Sequence, residues 1–312
     1  MYKPKYTFWN EKQFPGFVDS LDRIYNDSVD NYKKTHNDLI DKELEVFNTF
    51  IKDLEYYYAI LICEGIEDLN NPNKNILNQL KSIKHVVIPK KRDLYGATLG
   101  NQVSINPDID AAYGLDKKCF MQLCISHELG HIVNKKWYLE SKELSKKLYK
   151  DPRNIELFEN LEIDDYRYLL FGFDLINEVV AEDVAERVAF RLAKKKKDRS
   201  IGHNKYILYD ELYKYAFEFA KSLDFIRSSK NISENSIMLE LIKNSFSEDF
   251  ISNISKEIEN SDYNKRDKLL TMLVCMGKIK ASSYEVVGLN KNKESINVDK
   301  YIDTFNETIK RK

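Results

Sequence analysis

The amino-acid sequence predicts an α+β protein that is predominantly helical. Its 312 residues include 10 glycines and 6 prolines, too few for the many tight turns of a β-sandwich or barrel. Hydrophobic residues make up 43% of the chain, enough to build a core, which excludes wholesale disorder. Most apolar residues recur at helical spacing, and one short segment, 85–106, alternates as strands do.

Charge and cysteine content exclude several classes of function. The 49 Lys and Arg nearly balance the 50 Asp and Glu, so nothing favours nucleic acid or an anionic membrane as a partner. Four cysteines do not form a disulfide framework. The first residues lack the apolar run of a signal peptide, and no apolar stretch is long enough to span a bilayer. We therefore expect a cytoplasmic protein without a membrane span.

The first strong helical pattern lies between residues 40 and 61. Its apolar residues are separated alternately by four and three positions, which places them on one face of a long helix; they are Ile40, Leu44, Phe47, Ile51, Leu54, Tyr58 and Leu61. The pattern is shorter than four heptads, so we expect this face to pack on the core of the protein rather than to form a free coiled coil.

A strand and a hairpin are predicted next. Residues 85–89, His-Val-Val-Ile-Pro, are short, β-branched and apolar, as in a strand. Residues 95–107 predict a hairpin, because Gly100-Asn101 is a turn dipeptide and Val103 and Ile105 alternate with polar residues. Pro107 ends the second strand.

The rest of the chain is predicted to be helical. Residues 117–133 are apolar on nearly every side, which indicates a buried helix. Residues 138–170 predict surface helices, 174–195 and 205–226 predict two longer helices, and 230–312 predict shorter amphipathic helices. We divide the chain into an N-terminal helical region, 1–80, a central core, 81–228, and a C-terminal helical region, 229–312, with one compact domain as the alternative.

A metal-binding motif lies on the predicted buried helix. Residues 127–131, His-Glu-Leu-Gly-His, have the pattern H-E-x-x-H. Residues four apart share one helix face, so His127 and His131 can bind one Zn²⁺ together. Glu128 projects about 100° away around the helix, where it can accept a proton from a water molecule and pass it to a leaving amine.

Two other interpretations of the motif stay open. The histidines can be a hydrogen-bonded core pair beside a chance glutamate, or the whole chain can be a helical structural protein that carries the motif by chance. Burial of unpartnered imidazoles and a carboxylate in an apolar helix costs several kcal/mol. A metal ion supplies the missing partner, and we therefore favour the metal site.

The third metal ligand must come from another segment. Glu178, Glu182 and Glu186 are spaced by four on one predicted helix face. Alanines at the same spacing, 181, 185, 189 and 193, would allow that helix to approach the histidine helix closely. A solvated acidic face matched by Arg187 and Arg191 is the alternative interpretation. His85 and His203 are also candidate ligands.

These motifs resemble the zincin metallopeptidases, and the gluzincin branch in particular. Residues 127–131 look like their active-site motif, and Asn177-Glu178 followed by Glu182 is similar to the thermolysin-type Asn-Glu-x-x-x-Asp segment. The resemblance covers roughly residues 85–195. It implies that His127, His131 and Glu178 bind Zn²⁺, that Glu128 is the general base, and that Glu182 orients a histidine ligand.

Three departures from the gluzincin pattern leave an alternative open. Glu182 stands where thermolysin-type enzymes have Asp, and residues 138–170 would be an insertion. Residues 182–186, Glu-Asp-Val-Ala-Glu, also fit the E-x-x-A-[D/E] pattern of membrane-associated and anti-repressor zinc proteases. Glu182 is therefore the second choice for the third ligand, whereas Asn177 and the position near the presumed helix start favour Glu178.

The resemblance also implies a fold and an activity. A zincin-like core has a small sheet packed on the active-site helix, and a substrate peptide adds to the sheet's edge strand. We expect a zinc metallopeptidase that hydrolyses peptide bonds in proteins or peptides. The oxyanion-stabilising residue stays open among Tyr206, Tyr209 and His203. The alternative is a zinc-containing regulatory module without turnover that binds a peptide along the strand 102–106. The sequence does not indicate an oligomeric state.

Overall fold

The structure, a computed structural model, describes residues 16–36, 41–68, 70–89, 95–108, 116–196, 210–227, 233–283 and 296–311. These residues are mostly helical and include one three-stranded sheet, which agrees with the predicted α+β, predominantly helical class. No helix among them is both long and apolar enough to cross a membrane.

In the described residues the three strands follow one another directly, with helices before and after them. Their order is α1 (Phe17–Thr35), α2 (Asp41–Cys63), α3 (Lys74–Lys81), β1 (His85–Val87), β2 (Gly96–Leu99), β3 (Gln102–Ile105), α4 (Lys117–Val133), α5 (Lys135–Lys150), α6 (Ile155–Asn160), α7 (Arg167–Lys196), α8 (Asp210–Ser222), α9 (Glu234–Ser245), α10 (Phe250–Asn260), α11 (Tyr263–Ser283) and α12 (Val298–Lys310). A 3₁₀ turn, Pro152–Asn154, precedes α6.

The chain divides into two compact units. The first contains the described residues of Met1–Val133 and Ala181–Leu208, and the second those of Asn134–Val180 and Tyr209–Lys312. Helix α7 is continuous and contributes residues to both. The predicted boundaries at residues 80 and 228 differ from those of the two units, and the predicted division into three regions stays a prediction.

In the first unit, α2 carries the apolar stripe that the sequence predicts. Phe47, Ile51, Leu54, Tyr58 and Leu61 are each at most 1% exposed. The helix packs on α1 and on α4, so its buried face supports the helix that carries the H-E-x-x-H motif. The packing on α1 and α4 agrees with the expectation that this face belongs to the core.

The sheet of the first unit has the strand order β1-β3-β2. Strand β3 pairs in parallel with β1 and antiparallel with β2, with Thr98 opposite Val103. Gly100 has a φ of 61°, a left-handed conformation that glycine adopts at no steric cost in the hairpin turn. Strand β2 also packs on α4.

The sheet corrects the expectation that a peptide adds along residues 102–106. Strand β3 lies in the middle of the sheet, and its backbone groups already pair with β1 and β2. A further strand needs an edge with unpaired N–H and C=O groups. Among the described strands β2 lies at an edge, and it packs on α4.

In the second unit, α11 and the first half of α7 approach closely through two glycines. A Cβ atom on Gly172 would lie 2.2 Å from the carbonyl oxygen of Leu273. A Cβ atom on Gly277 would lie 1.7 Å from the carbonyl oxygen of Tyr168. No side chain fits in either space, so the absence of a Cβ atom sets the distance between the two helices.

Candidate metal centre

Helix α4 brings the two motif histidines to one point. The predicted buried helix is confirmed as Lys117–Val133, with buried residues on every side. His127 and His131 lie one turn apart, and their Nε2 atoms are 3.1 Å from each other. If the motif had arisen by chance in a helical structural protein, we would expect the two imidazoles to point apart. Their Nε2 atoms instead lie close together.

A carboxylate on α7 orients the first histidine. Nδ1 of His127 lies 2.8 Å from Oε2 of Glu182, with side chains 12% and 1% exposed. A carboxylate accepts hydrogen bonds, so we assign the proton of the His127 ring to Nδ1. Nε2 of His127 then keeps its lone pair on the side that faces His131. A metal-binding histidine is commonly oriented by this kind of hydrogen bond.

Small residues allow α4 and α7 to make this contact. A Cβ atom on Gly130 would lie 2.9 Å from Cβ and 3.0 Å from Cα of Ala181. Ala185 and Ala189 continue the contact one and two turns later, in a buried cluster with Cys119, Phe120, Leu123 and Cys124. The predicted alanine stripe is thus an inter-helix contact at these three positions, and the side chain of Ala193 lies outside the described residues.

Glu178 lies on α7 one turn before Glu182. It forms a group with His127 and His131, in which one possible ligand atom of each residue lies within 4.8 Å of those of the other two. All three residues are partly buried. Glu182 is not a member of this group. Its 1% exposure also excludes a solvated acidic face at that position.

The three side chains fit a metal ion. Two nitrogens each about 2.0–2.1 Å from a tetrahedral Zn²⁺ would lie about 3.3 Å apart, close to the 3.1 Å between the histidine Nε2 atoms. Two imidazoles and one carboxylate are also the donor set of a known class of catalytic zinc site, which keeps a fourth position open. The group can therefore hold a metal ion.

Among the described residues, the candidate ligand His85 takes no part in this group. His85 lies on β1, where its Nε2 contacts the amide of Gln102 at 3.2 Å. Burial lowers the pKa of His85, and the charge of Lys84 lowers it further, against an opposing effect of Asp27. His203, Tyr206 and Tyr209 lie outside the described residues.

Strand β2 encloses the glutamate of the motif. Glu128 is 7% exposed, and its Oε2 accepts a hydrogen bond of 2.7 Å from Oγ1 of Thr98. A Cβ atom on Gly96 would lie 3.0 Å from both Cγ and Oε1 of Glu128. Gly96 and Thr98 are two residues apart, so they share the face of β2 that meets Glu128.

A buried lysine contacts Glu178. Lys280 of α11 is 6% exposed, and its Nζ forms ion pairs with Asp174 and, at 3.4 Å, with Oε1 of Glu178. Asp174 and Glu178 are one helical turn apart on α7, so a single ammonium group reaches both carboxylates.

The nearby Cys124 is not a member of the group formed by His127, His131 and Glu178. Burial raises the pKa of Cys124 to about 12, and the carboxylates of Glu182 and Glu128 raise it further. Sequence patterns do not mark Thr98 or Lys280 as site residues, since they indicate only that Thr98 belongs to a predicted hairpin and Lys280 to a predicted helical region.

Comparison of the chain with known protein families, with curated proteins and with solved structures found no match. The likeness to zincins therefore depends on the motif residues and on the group formed by His127, His131 and Glu178.

Proposed function

We propose that this protein is a zinc-dependent metallopeptidase. The observation that carries the proposal is the convergence of His127, His131 and Glu178 beside Glu128, a buried carboxylate held by Thr98. Histidine and carboxylate ligands with an adjacent glutamate are the components that metal-assisted peptide hydrolysis requires.

The proposed metal ligands are His127, His131 and Glu178. Glu182 keeps His127 in the tautomer that presents Nε2, through its 2.8 Å hydrogen bond to Nδ1. When bound, a zinc ion would polarise the peptide carbonyl and lower the pKa of a water molecule.

Glu128 is the proposed general base. Its carboxylate accepts the proton of the attacking water and then donates that proton to the leaving amine. The hydrogen bond from Thr98 and the close approach of Gly96 restrict where the carboxylate can lie. A base that is held in place loses less free energy to reorientation during the reaction.

The proposed substrate is an extended peptide that adds to β2. In the described residues this strand pairs with β3 on one side and packs on α4. Leu99 at its end is 79% exposed, and Tyr95 just before it is 47% exposed. A peptide hydrogen-bonded along β2 would run beside Glu128, and apolar side chains of the peptide could cover Leu99 and Tyr95.

The test compares the wild type with Glu128→Gln and with Glu143→Gln, which removes an exposed carboxylate paired with Lys146. We expect equal zinc content in all three proteins. Hydrolysis of a peptide library should fall at least about 100-fold in Glu128→Gln alone, within the range of general-base contributions. Equal hydrolysis by the wild type and Glu128→Gln would contradict the proposal. Bound zinc with tight peptide binding and no cleavage by the wild type would favour the regulatory module instead.

A further inference from the structure

Lys280 is an unusual residue to find buried beside a metal ligand. Lysine is almost never fully buried unless it is paired, and this one is 6% exposed. Its pairs are Asp174 and Glu178, which makes the lysine and the two carboxylates a compact charged group on α7 and α11. The group carries one positive and two negative charges when all three side chains are ionised.

The position of Lys280 follows from the close contact of its helix with α7. Gly277 lies three residues before Lys280, and its missing Cβ atom allows α11 to approach Tyr168. Gly172, two residues before Asp174, makes the equivalent contact with Leu273. Because both glycines are required by backbone contacts, the separation of the two helices is constrained, and Nζ of Lys280 is held beside the carboxylates.

Lys280 contacts one oxygen of Glu178 in particular. The ion pair of 3.4 Å is made to Oε1, and the same ammonium group also contacts Oδ2 of Asp174. A carboxylate can bind a metal ion through one oxygen or through both. An ammonium group held at Oε1 competes with the metal for that oxygen.

We propose that Lys280 is a positioning residue that restricts Glu178 to metal binding through its other oxygen. The inference rests on the proposed metal site of His127, His131 and Glu178. Binding through both oxygens would occupy the coordination position that a water molecule or a substrate carbonyl needs. Lys280 thus keeps that position open without contacting the substrate.

The chain offers a matched control on the same helix. Lys278 is also 6% exposed, and its Nζ lies 3.7 Å from the centroid of the Tyr168 ring and 3.1 Å from the carbonyl oxygen of Glu162. Lys278→Met therefore removes a buried lysine of α11 whose contacts include Tyr168 and Glu162. Any effect of losing a buried cation on folding should appear in both variants.

The test uses Co²⁺ as a spectroscopic probe added to metal-free protein. Visible absorption of Co²⁺ reports coordination geometry, and four-coordinate sites absorb more strongly than five-coordinate ones. We expect the wild type and Lys278→Met to show the strong band, and Lys280→Met to lose most of it. Turnover by the zinc-loaded Lys280→Met protein should fall about 10–100-fold, as for other groups that orient metal ligands, with a smaller change in KM.

If Lys280→Met does not fold, as judged by circular dichroism, the double variant Lys280→Met/Asp174→Asn replaces it. The second substitution removes the negative charge of Asp174, which would otherwise lose the cation that Lys280 supplies. An unchanged cobalt band in the folded variant, or an equal loss in Lys278→Met, would overturn the role of Lys280. Failure of the wild type to bind Co²⁺ or Zn²⁺ would instead overturn the metal site, and the role of Lys280 with it.

Discussion

Oγ1 of Thr98 donates a 2.7 Å hydrogen bond to Oε2 of Glu128, which joins strand β2 to the H-E-x-x-H motif of α4. The same strand is the one to which we propose that a peptide adds. Binding of the substrate and orientation of the general base would therefore depend on one short segment, Gly96–Leu99.

The Thr98 hydroxyl can be removed with little change in shape by Thr98→Val. We predict that turnover falls about 10-fold or more, because a hydrogen bond to a charged group contributes about 1.5–3 kcal/mol. KM and zinc content should change little. Steady-state kinetics on a peptide substrate measure the effect, and Thr98→Ser, which keeps the hydroxyl, should restore most of the turnover. Equal turnover in Thr98→Val and the wild type would show that the hydrogen bond has no role.

Gly96 leaves space that Glu128 occupies. We predict that Gly96→Ala lowers turnover and leaves bound zinc unchanged, since the new Cβ atom would lie 3.0 Å from Cγ and Oε1 of Glu128 and would displace the carboxylate. Ala97→Ser is the control, because adjacent strand residues point to opposite faces. Normal kinetics in Gly96→Ala would contradict the proposed constraint on Glu128.

Glu182 and Glu178 should affect zinc binding differently. We predict that Glu182→Gln weakens zinc binding about 10–100-fold, the usual cost of losing a group that orients a metal ligand. Glu178→Ala should weaken it more, because it removes a ligand. Chelator competition measures both affinities, and Asp183→Asn, which alters an ion pair with Arg187, is the control. A larger loss in Glu182→Gln than in Glu178→Ala would favour Glu182 as the third ligand.

The contact of Gly130 with Ala181 makes a prediction about stability. Alanine is a better helix former than glycine by about 1 kcal/mol, but overpacking costs about 1–3 kcal/mol. The Cβ atom would lie 2.9 Å from that of Ala181, so we predict that Gly130→Ala lowers the free energy of unfolding in urea. The cost should be smaller in an Ala181→Gly background. An equal cost in both backgrounds would show that the two residues are not coupled.

Local patterns in the sequence predict the parts of this structure that depend on neighbouring residues. The stripe from Phe47 to Leu61 predicts α2, because spacing alone defines a helix face. The spacing of His127 and His131 likewise predicts two imidazoles on one side of α4. Ala181, Ala185 and Ala189 predict close helix packing because small side chains permit it.

Features that depend on distant residues could not be predicted in this way. Lys280 is 102 residues from Glu178, and nothing in its local sequence indicates a carboxylate partner. Gly172 would weaken a helix by local propensity, and α7 in fact begins at Arg167, before the predicted start at 174. The glycine is explained by Leu273, which the local pattern does not contain.

The order of strands in the sheet is a second feature of this kind. Residues 102–105 alternate between polar and apolar side chains, as in an edge strand. In the structure, however, β2 pairs with them on one side and β1 on the other. The short strand at His85–Val87 was predicted, but its partner was not, because pairing in parallel is not determined by a turn. The edge beside α4 is therefore β2.

The zinc content of natively purified protein tests the central claim most directly. Plasma mass spectrometry of the wild type should find close to one zinc atom per chain, and His131→Ala, purified in the same way, should contain almost none. A wild-type protein that is folded, free of zinc and unable to take it up after exposure to Zn²⁺ would contradict the metal site formed by His127, His131 and Glu178.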